Sequence, residues 1–207
     1  MEHVWLWVSM MMALRLCLSG VAGPTRGRGH RPPKENPIDK ITSVTDLKLA
    51  QMSGKWFLVS AASKCQYLLE NNHRVESTTV ALTAPSSPTS PLSVSTLRKL
   101  NLQCWEIRQE YLPTKTSGRF LLKGNKPTND IDIIIGETDY NSYAILYYQK
   151  RGKISIKLYG RSERLQDHIL DKFEQLAEKQ KLGIDFVFPF PKYGFCQSAD
   201  ENHIIYL

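Results

Sequence analysis

Between residues 56 and 159, apolar and polar residues alternate in short runs broken by turns. Runs 56–62, 74–83, 92–98, 103–111, 118–123, 131–136, 143–148 and 153–159 each have strand length and strand composition, predicting eight strands. The three prolines within 84–91 make that stretch a loop. Ile154, Ile156 and Leu158 share one face of the last strand, and Ser155, Lys157 and Tyr159 share the other. Ile131, Ile133 and Ile135 likewise line one face. Arg151-Gly152 marks the tight turn ahead of the last strand. Eight sequential strands with short turns form a sandwich or close into a barrel, and alternation alone does not choose.

The period changes once. Over 162–179, Leu165, Ile169, Phe173 and Leu176 recur at spacings that place them on one face of a helix. Ser162 is read as its N-cap, Glu163 sits beside the positive end, and Gly183 stops it. This helix is expected to pack once against the outside of the strand body. The aromatic, proline-broken stretch 187–196 suits an extended cover, and 203–207 has the composition of a further short strand.

The ends differ from the body. Residues 1–22 are apolar with small residues at their close, predicting a secretory signal peptide. Arg15 and the modest length of the run argue against a membrane anchor. Residues 23–40 are rich in Gly, Pro and Arg without apolar periodicity, and are read as a flexible basic arm. Arg26, Arg28, Arg31 and Lys34 of that arm either contact an anionic partner or remain solvated. The remainder, 41–207, is one domain in length.

The whole chain has 27 basic and 20 acidic side chains, a net charge of +7. That favours solubility and weak contact with anionic surfaces. The modular signatures of nucleic-acid binding are missing from the sequence, so no nucleic-acid partner is expected. No cofactor is expected either. His3, His30, His73, His168 and His203 are scattered, and no Cys/His spacing matches a zinc site. There is no N-glycosylation sequon. Cleavage after the signal removes Cys17 and leaves Cys65, Cys104 and Cys196. In an oxidising compartment an odd count leaves one cysteine for another chain or as a free thiol, and spacing leaves the pairing open.

Gly54-Lys-Trp56 opens the first strand, Thr138-Asp-Tyr140 precedes the seventh, and Arg161 lies between the eighth strand and the helix. In this order the chain resembles a lipocalin over roughly residues 45–205. The resemblance implies an all-β fold: an eight-stranded antiparallel up-and-down barrel with one C-terminal helix packed outside. It implies that Gly54, Trp56, Thr138, Asp139, Tyr140 and Arg161 meet at the barrel floor, the Arg161 guanidinium across the Trp56 indole. Segments 54–60, 63–68, 73–79, 93–100, 104–109, 137–140, 157–162 and 188–200 resemble, within that family, a non-catalytic subunit of a secreted serum complex. That resemblance implies a disulfide from Cys65 to a larger alpha chain, an associated beta chain, and an internal bridge from Cys104 to Cys196. It implies no direct membrane insertion by this subunit. A bridge closing about 90 residues stabilises by roughly 4–5 kcal/mol on chain entropy.

Two other functions are compatible with these residues. A free carrier of a small hydrophobic molecule would use inward residues, for which Leu58, Trp105, Ile107, Phe120, Leu122, Ile154, Ile156 and Leu158 are the candidates beside Trp56. Those side chains equally serve to fill the barrel. A cysteine-dependent isomerase or redox lipocalin would rest on Cys65, with His73, eight residues on, as the nearest histidine base in sequence.

Overall fold

The computed structural model describes residues 36–207. The expected signal peptide and most of the basic arm, with its Arg26, Arg28, Arg31 and Lys34, lie outside the described residues. Eight antiparallel strands follow in sequence: β1 (Gly54–Ser63), β2 (Thr78–Thr83), β3 (Leu92–Leu100), β4 (Gln103–Pro113), β5 (Arg119–Leu122), β6 (Ile131–Thr138), β7 (Tyr143–Lys150) and β8 (Lys153–Gly160). Each pairs with its neighbour, and β8 returns to β1, which closes the barrel. Closure gives each of the eight barrel strands a neighbour on both sides over part of its length, which leaves less free edge to template aggregation.

Closure also gives every strand two demands. One face fills the barrel, and the other meets solvent or a covering element. Trp56, Leu58, Val80, Leu82, Val94, Phe120, Leu122, Ile133, Ile135, Leu146 and Tyr159 pack together inside. A second cluster lies outside, where α3 (Asp167–Lys179) presses Ile169, Phe173 and Ala177 onto Val59, Ile134, Ile145, Tyr147, Ile156 and Leu158. Burying each such side chain is worth about 1.5–3 kcal/mol.

The helix is shorter than 162–179. It starts at Asp167 with Gln166 as N-cap, and the Ser162 hydroxyl instead donates to the carbonyl of Arg164, 2.6 Å away. Residues 161–166 are spent crossing from the barrel floor to the outer face. Gly183 is not the residue that reverses the chain; Lys181 takes the left-handed conformation at φ 58°. Pro37–Lys40, assigned to the arm on sequence, packs with the body. Ile38 is fully buried, and its N–H donates to Gln149 Oε1 at 2.9 Å.

The tail after α3 supplies two more strands. β9 (Val187–Pro189) pairs with β1 beyond the point where β2 diverges, and β10 (Ile204–Tyr206) runs parallel to β4 where β5 has left it. Both fill the places where the barrel splays toward its mouth. Gly136 sits at the register shift between β6 and β7. A Cβ there would lie 2.5 Å from the Tyr147 ring, so only glycine admits that ring over the strand.

Candidate functional site: the barrel, its mouth and a free cysteine

The floor is built from three segments. The Trp56 indole N–H donates to the carbonyl of Met52 at 2.8 Å, at the end of the short helix α1 (Leu49–Met52). The Arg161 guanidinium carbon lies 3.8 Å from the Trp56 ring centroid. Its three nitrogens donate to the carbonyls of Tyr140 (3.1 Å), Lys55 (3.1 Å) and Gln51 (2.8 Å). One planar group thus stacks on the indole and closes three chain segments, which a lysine's single ammonium does not reproduce. Gly54 has φ 99°, and a Cβ there would stand 3.3 Å from an Arg161 nitrogen, so conformation and space both call for glycine.

Thr138 and Asp139 shape the turn that offers the Tyr140 carbonyl. The Thr138 hydroxyl donates to the carbonyl of Tyr143 and accepts from the N–H of Tyr140. Asp139 Oδ1 accepts from the N–H groups of Asn141, Ser142 and Tyr143, and Oδ2 accepts from the Ser142 hydroxyl. Burial pushes this carboxyl up, but the Ser142 hydroxyl and the three backbone donors outweigh it and hold it below its ordinary range. A depressed folded-state pKa contributes stability above the unfolded-state pKa, and the contribution is lost as pH falls through the folded value. Asp139→Asn is therefore expected to lower the thermal midpoint at pH 7 by a few degrees. The gap between variant and wild type should narrow on acidification, as read by thermal melts across pH; a gap independent of pH would refute the role of the charge.

Above the floor the barrel is nearly filled. Trp56, Val80, Leu82, Val94, Tyr111, Leu146, Tyr148 and Tyr159 surround a cavity of about 20 Å³, room for roughly one water. Tyr148 and Tyr159 hydroxyls are 3.3 Å apart. Burial pushes the Tyr111 phenol up to about 12 and raises Tyr148 and Tyr159 as well, so all three stay neutral donors at pH 7.

The eight cavity candidates do not stay together. Leu58, Phe120 and Leu122 are interior. Trp105 and Ile107 share the Tyr111 face of β4 by alternation and are partly exposed toward the mouth. The Trp105 ring stacks on His203 at 4.1 Å. Ile154, Ile156 and Leu158 are not cavity residues: Ile156 and Leu158 lie in the outer cluster beneath α3, and Ile154 packs against it. The helix has taken the more apolar face of β8, so Ser155, Lys157 and Tyr159 turn inward. Lys157 and Arg98 lie half-buried on the inward faces of β8 and β3, and sequence reasoning passed over them. The signal was present: a strand under an amphipathic helix must give that helix its most apolar face.

The mouth carries the cysteine. Cys65 is exposed and unbonded, between β1 and the short helix α2 (Gln66–Asn71). Its N–H donates to the Ser63 hydroxyl at 3.1 Å, and its carbonyl accepts from Leu69. Lys64 turns away, with its ammonium 4.7 Å from the Phe186 ring centroid. Among the described residues no hydrogen bond joins the Cys65 thiol to His73 or to any other base. Cys104 and Cys196 are disulfide-bonded, with Cα atoms 5.7 Å apart. Among the described residues no cluster of His, Cys, Asp and Glu is arranged to hold a metal ion, and no helix is long and apolar enough to cross a membrane.

Comparison with known proteins agrees with this geometry. Residues 53–193 match the model of the lipocalin / cytosolic fatty-acid binding protein family. The chain is 37% identical over 187 residues to complement component C8 gamma chain of Oryctolagus cuniculus, covering 89% of this chain and 91% of that one. It is 28% identical over 172 residues to Protein AMBP of Bos taurus, covering 80% of this chain but 48% of that protein, so it spans about half of that longer relative. A solved structure titled "The Siderocalin Ex-FABP functions through dual ligand specificities" superposes with a TM-score of 0.60 at 20% identity, covering 70% of this chain and 96% of the other. At that identity the likeness concerns the fold. With the barrel closed as described and more than half of its length matched, this chain belongs to the lipocalin / cytosolic fatty-acid binding protein family.

Proposed function

We propose that this chain is a non-catalytic lipocalin subunit of a secreted complement complex. Cys65 joins it by a disulfide to the larger alpha chain of the eighth component, with the beta chain held in the same complex. It travels with them into the terminal membrane attack assembly as an accessory that does not itself insert. The observation that carries this reading is the exposed, unbonded Cys65 at the barrel mouth, left over once Cys104 and Cys196 are bonded. An exposed thiol in an oxidising fluid finds a partner. The near end-to-end similarity to complement component C8 gamma chain supports the choice of partner and an extracellular location.

The test is co-secretion with the alpha chain followed by non-reducing electrophoresis. The two chains should migrate as one covalent species that dithiothreitol separates. Cys65→Ala should abolish that species while leaving the fold and the Cys104–Cys196 bridge intact. A covalent species that survives Cys65→Ala would refute the assignment.

A second reading has the barrel bind a small molecule, whether on the subunit or as a free carrier. The partly exposed, inward Trp105 and Ile107 favour ligand entry at the mouth. The filled floor disfavours a long apolar ligand. A cysteine-dependent isomerase or redox activity has less support, since the Cys65 thiol has no hydrogen-bonded base among the described residues.

A further inference from the structure

The loop between β2 and β3 is longer than the strands require. Thr83 still pairs with Ser93, and hairpin loops usually take about two to five residues. Residues 84–91 intervene instead, and within them Pro85-Ser-Ser-Pro88-Thr-Ser-Pro91 places a proline at every third position with hydroxyl residues between. Serine and threonine interleaved with proline is the composition of O-glycosylated segments. The structure divides the four hydroxyls into two pairs. Ser87 and Ser90 are half-buried, their hydroxyl oxygens lie 2.8 Å apart, and the Ser90 N–H donates to the Ser87 carbonyl at 3.1 Å. That closes a β-turn with Pro88 at its second position, where a fixed proline φ fits. Ser86 and Thr89 each directly follow a proline, and both are exposed. The Thr89 hydroxyl makes a long contact to Ser87 Oγ at 3.2 Å. Among the described residues the Ser86 hydroxyl makes no hydrogen bond.

The loop is tied to the barrel floor. The Ala84 N–H donates to Ser53 Oγ at 3.0 Å, and Leu82 pairs with Gly54. Cys65 follows the other end of β1, at the mouth. A group carried on the loop therefore sits at the end of the barrel away from Cys65 and leaves that side free for a disulfide-linked chain. Beside Thr89, the residues Pro88, Pro113, Thr114 and Lys115 line an open groove of about 460 Å³. Its two proline rings offer C–H faces to a sugar ring. Thr114 also follows a proline and is exposed, but its environment differs. Its hydroxyl donates to the carbonyl of Arg119 at 3.0 Å and accepts from the N–H of Thr116 at 3.2 Å, so its oxygen is engaged within its own turn.

We propose that Thr89, with Ser86 as a second acceptor, is a site of mucin-type O-glycosylation that places a hydrated sugar on the floor of the barrel. In the transfer the Thr89 hydroxyl oxygen attacks the anomeric carbon of a nucleoside-diphosphate N-acetylhexosamine. A glycosidic carbon–oxygen bond forms, and the bond from that carbon to the diphosphate breaks. The nucleoside diphosphate departs and the hydroxyl proton passes to solvent. A transferase needs an acceptor that projects from the body, and the prolines on either side hold Thr89 in that position. Such a modification rests on the reading that the chain is secreted, since the sugar donor and the transferase belong to that route. Because no Asn-x-Ser/Thr sequon occurs, a glycan on this chain is attached through a hydroxyl.

The test expresses the full chain in cultured mammalian cells and weighs the chain collected from the medium by intact mass spectrometry. It is expected to carry an N-acetylhexosamine-based glycan that resists the amidase specific for asparagine-linked sugars. Electron-transfer fragmentation should place that glycan on Thr89. Thr89→Val should lose it, Thr89→Ser should keep it, and Thr89→Val combined with Ser86→Ala should leave the loop bare. Thr114→Val should leave the glycan content unchanged. All of these positions are exposed, so the thermal midpoint of each loop variant should match wild type, which separates loss of sugar from loss of fold. A secreted chain with no glycan on Thr89, a phosphoryl group on the loop in place of sugar, or a glycan that survives the double variant overturns the site while secretion stands. A chain that stays in the cells without sugar overturns secretion and the site together.

Discussion

Removal of the internal bridge by the paired substitutions Cys104→Ala and Cys196→Ala is expected to lower the unfolding free energy by about 4 kcal/mol. The bridge spans 92 residues of sequence, a long loop whose closure entropy the unfolded chain would regain. The enthalpic side points the same way, because the bridge pins the tail where β4 begins. Asp200 accepts from the Cys104 N–H at 2.8 Å and its own N–H donates to the Cys104 carbonyl at 2.9 Å. Those bonds, and the β10 pairing that follows them, depend on the tail being held in register. Urea denaturation under non-reducing conditions gives the size of the loss. Limited proteolysis should show the first new cuts between residues 190 and 207, while the barrel from β1 to β8 stays resistant. A loss under about 1 kcal/mol would mean that tail docking needs no covalent help.

Trp56→Ala is the other large effect, at about 3–5 kcal/mol. The indole is 1% exposed and closes the barrel from below. Its loss opens a cavity, leaves the Met52 carbonyl without its donor, and deprives the Arg161 guanidinium of its stacking face. The consequence spreads, because Arg161 ties together the carbonyls of Gln51, Lys55 and Tyr140. Arg161→Lys keeps the charge but loses the planar fork, and is expected to cost about 2 kcal/mol. Because the two residues share one contact, the double variant should lose less than the sum of the two, and that shortfall in a double-mutant cycle measures the stack. Strict additivity would show that the guanidinium and the indole act independently.

Much of the fold is legible in the residues. The period-two runs announce eight strands, and the recurrence of Leu165, Ile169, Phe173 and Leu176 marks the helix, whose buried stripe in the fold is Ile169, Phe173 and Ala177. Gly54, Trp56 and Arg161 carry the family pattern at the floor. Three features were not legible. The helix start moved from Ser162 to Gln166, because a good capping side chain is of no use while the chain is still crossing from floor to flank. The inward face of β8 was inverted, because a strand between a barrel lumen and a helix has two faces to cover and periodicity ranks them only by hydrophobicity. The cysteine pairing was also undetermined by spacing; it depends on where the tail docks after residue 187.

What this sequence determines alone is local: which segments are strands, where the single amphipathic helix runs, and which residues have the stacking and hydrogen-bonding capacity for a barrel floor. Those follow from side-chain period and backbone preference, which act over a few residues. What only the tertiary structure decided is which surface each strand turned inward. Docking α3 on Ile156 and Leu158 removes the most apolar area from water, and the pleat then forces Lys157 into the lumen near Arg98. The same global packing brings the tail to β4, bonds Cys196 to Cys104, and leaves Cys65 exposed at the mouth.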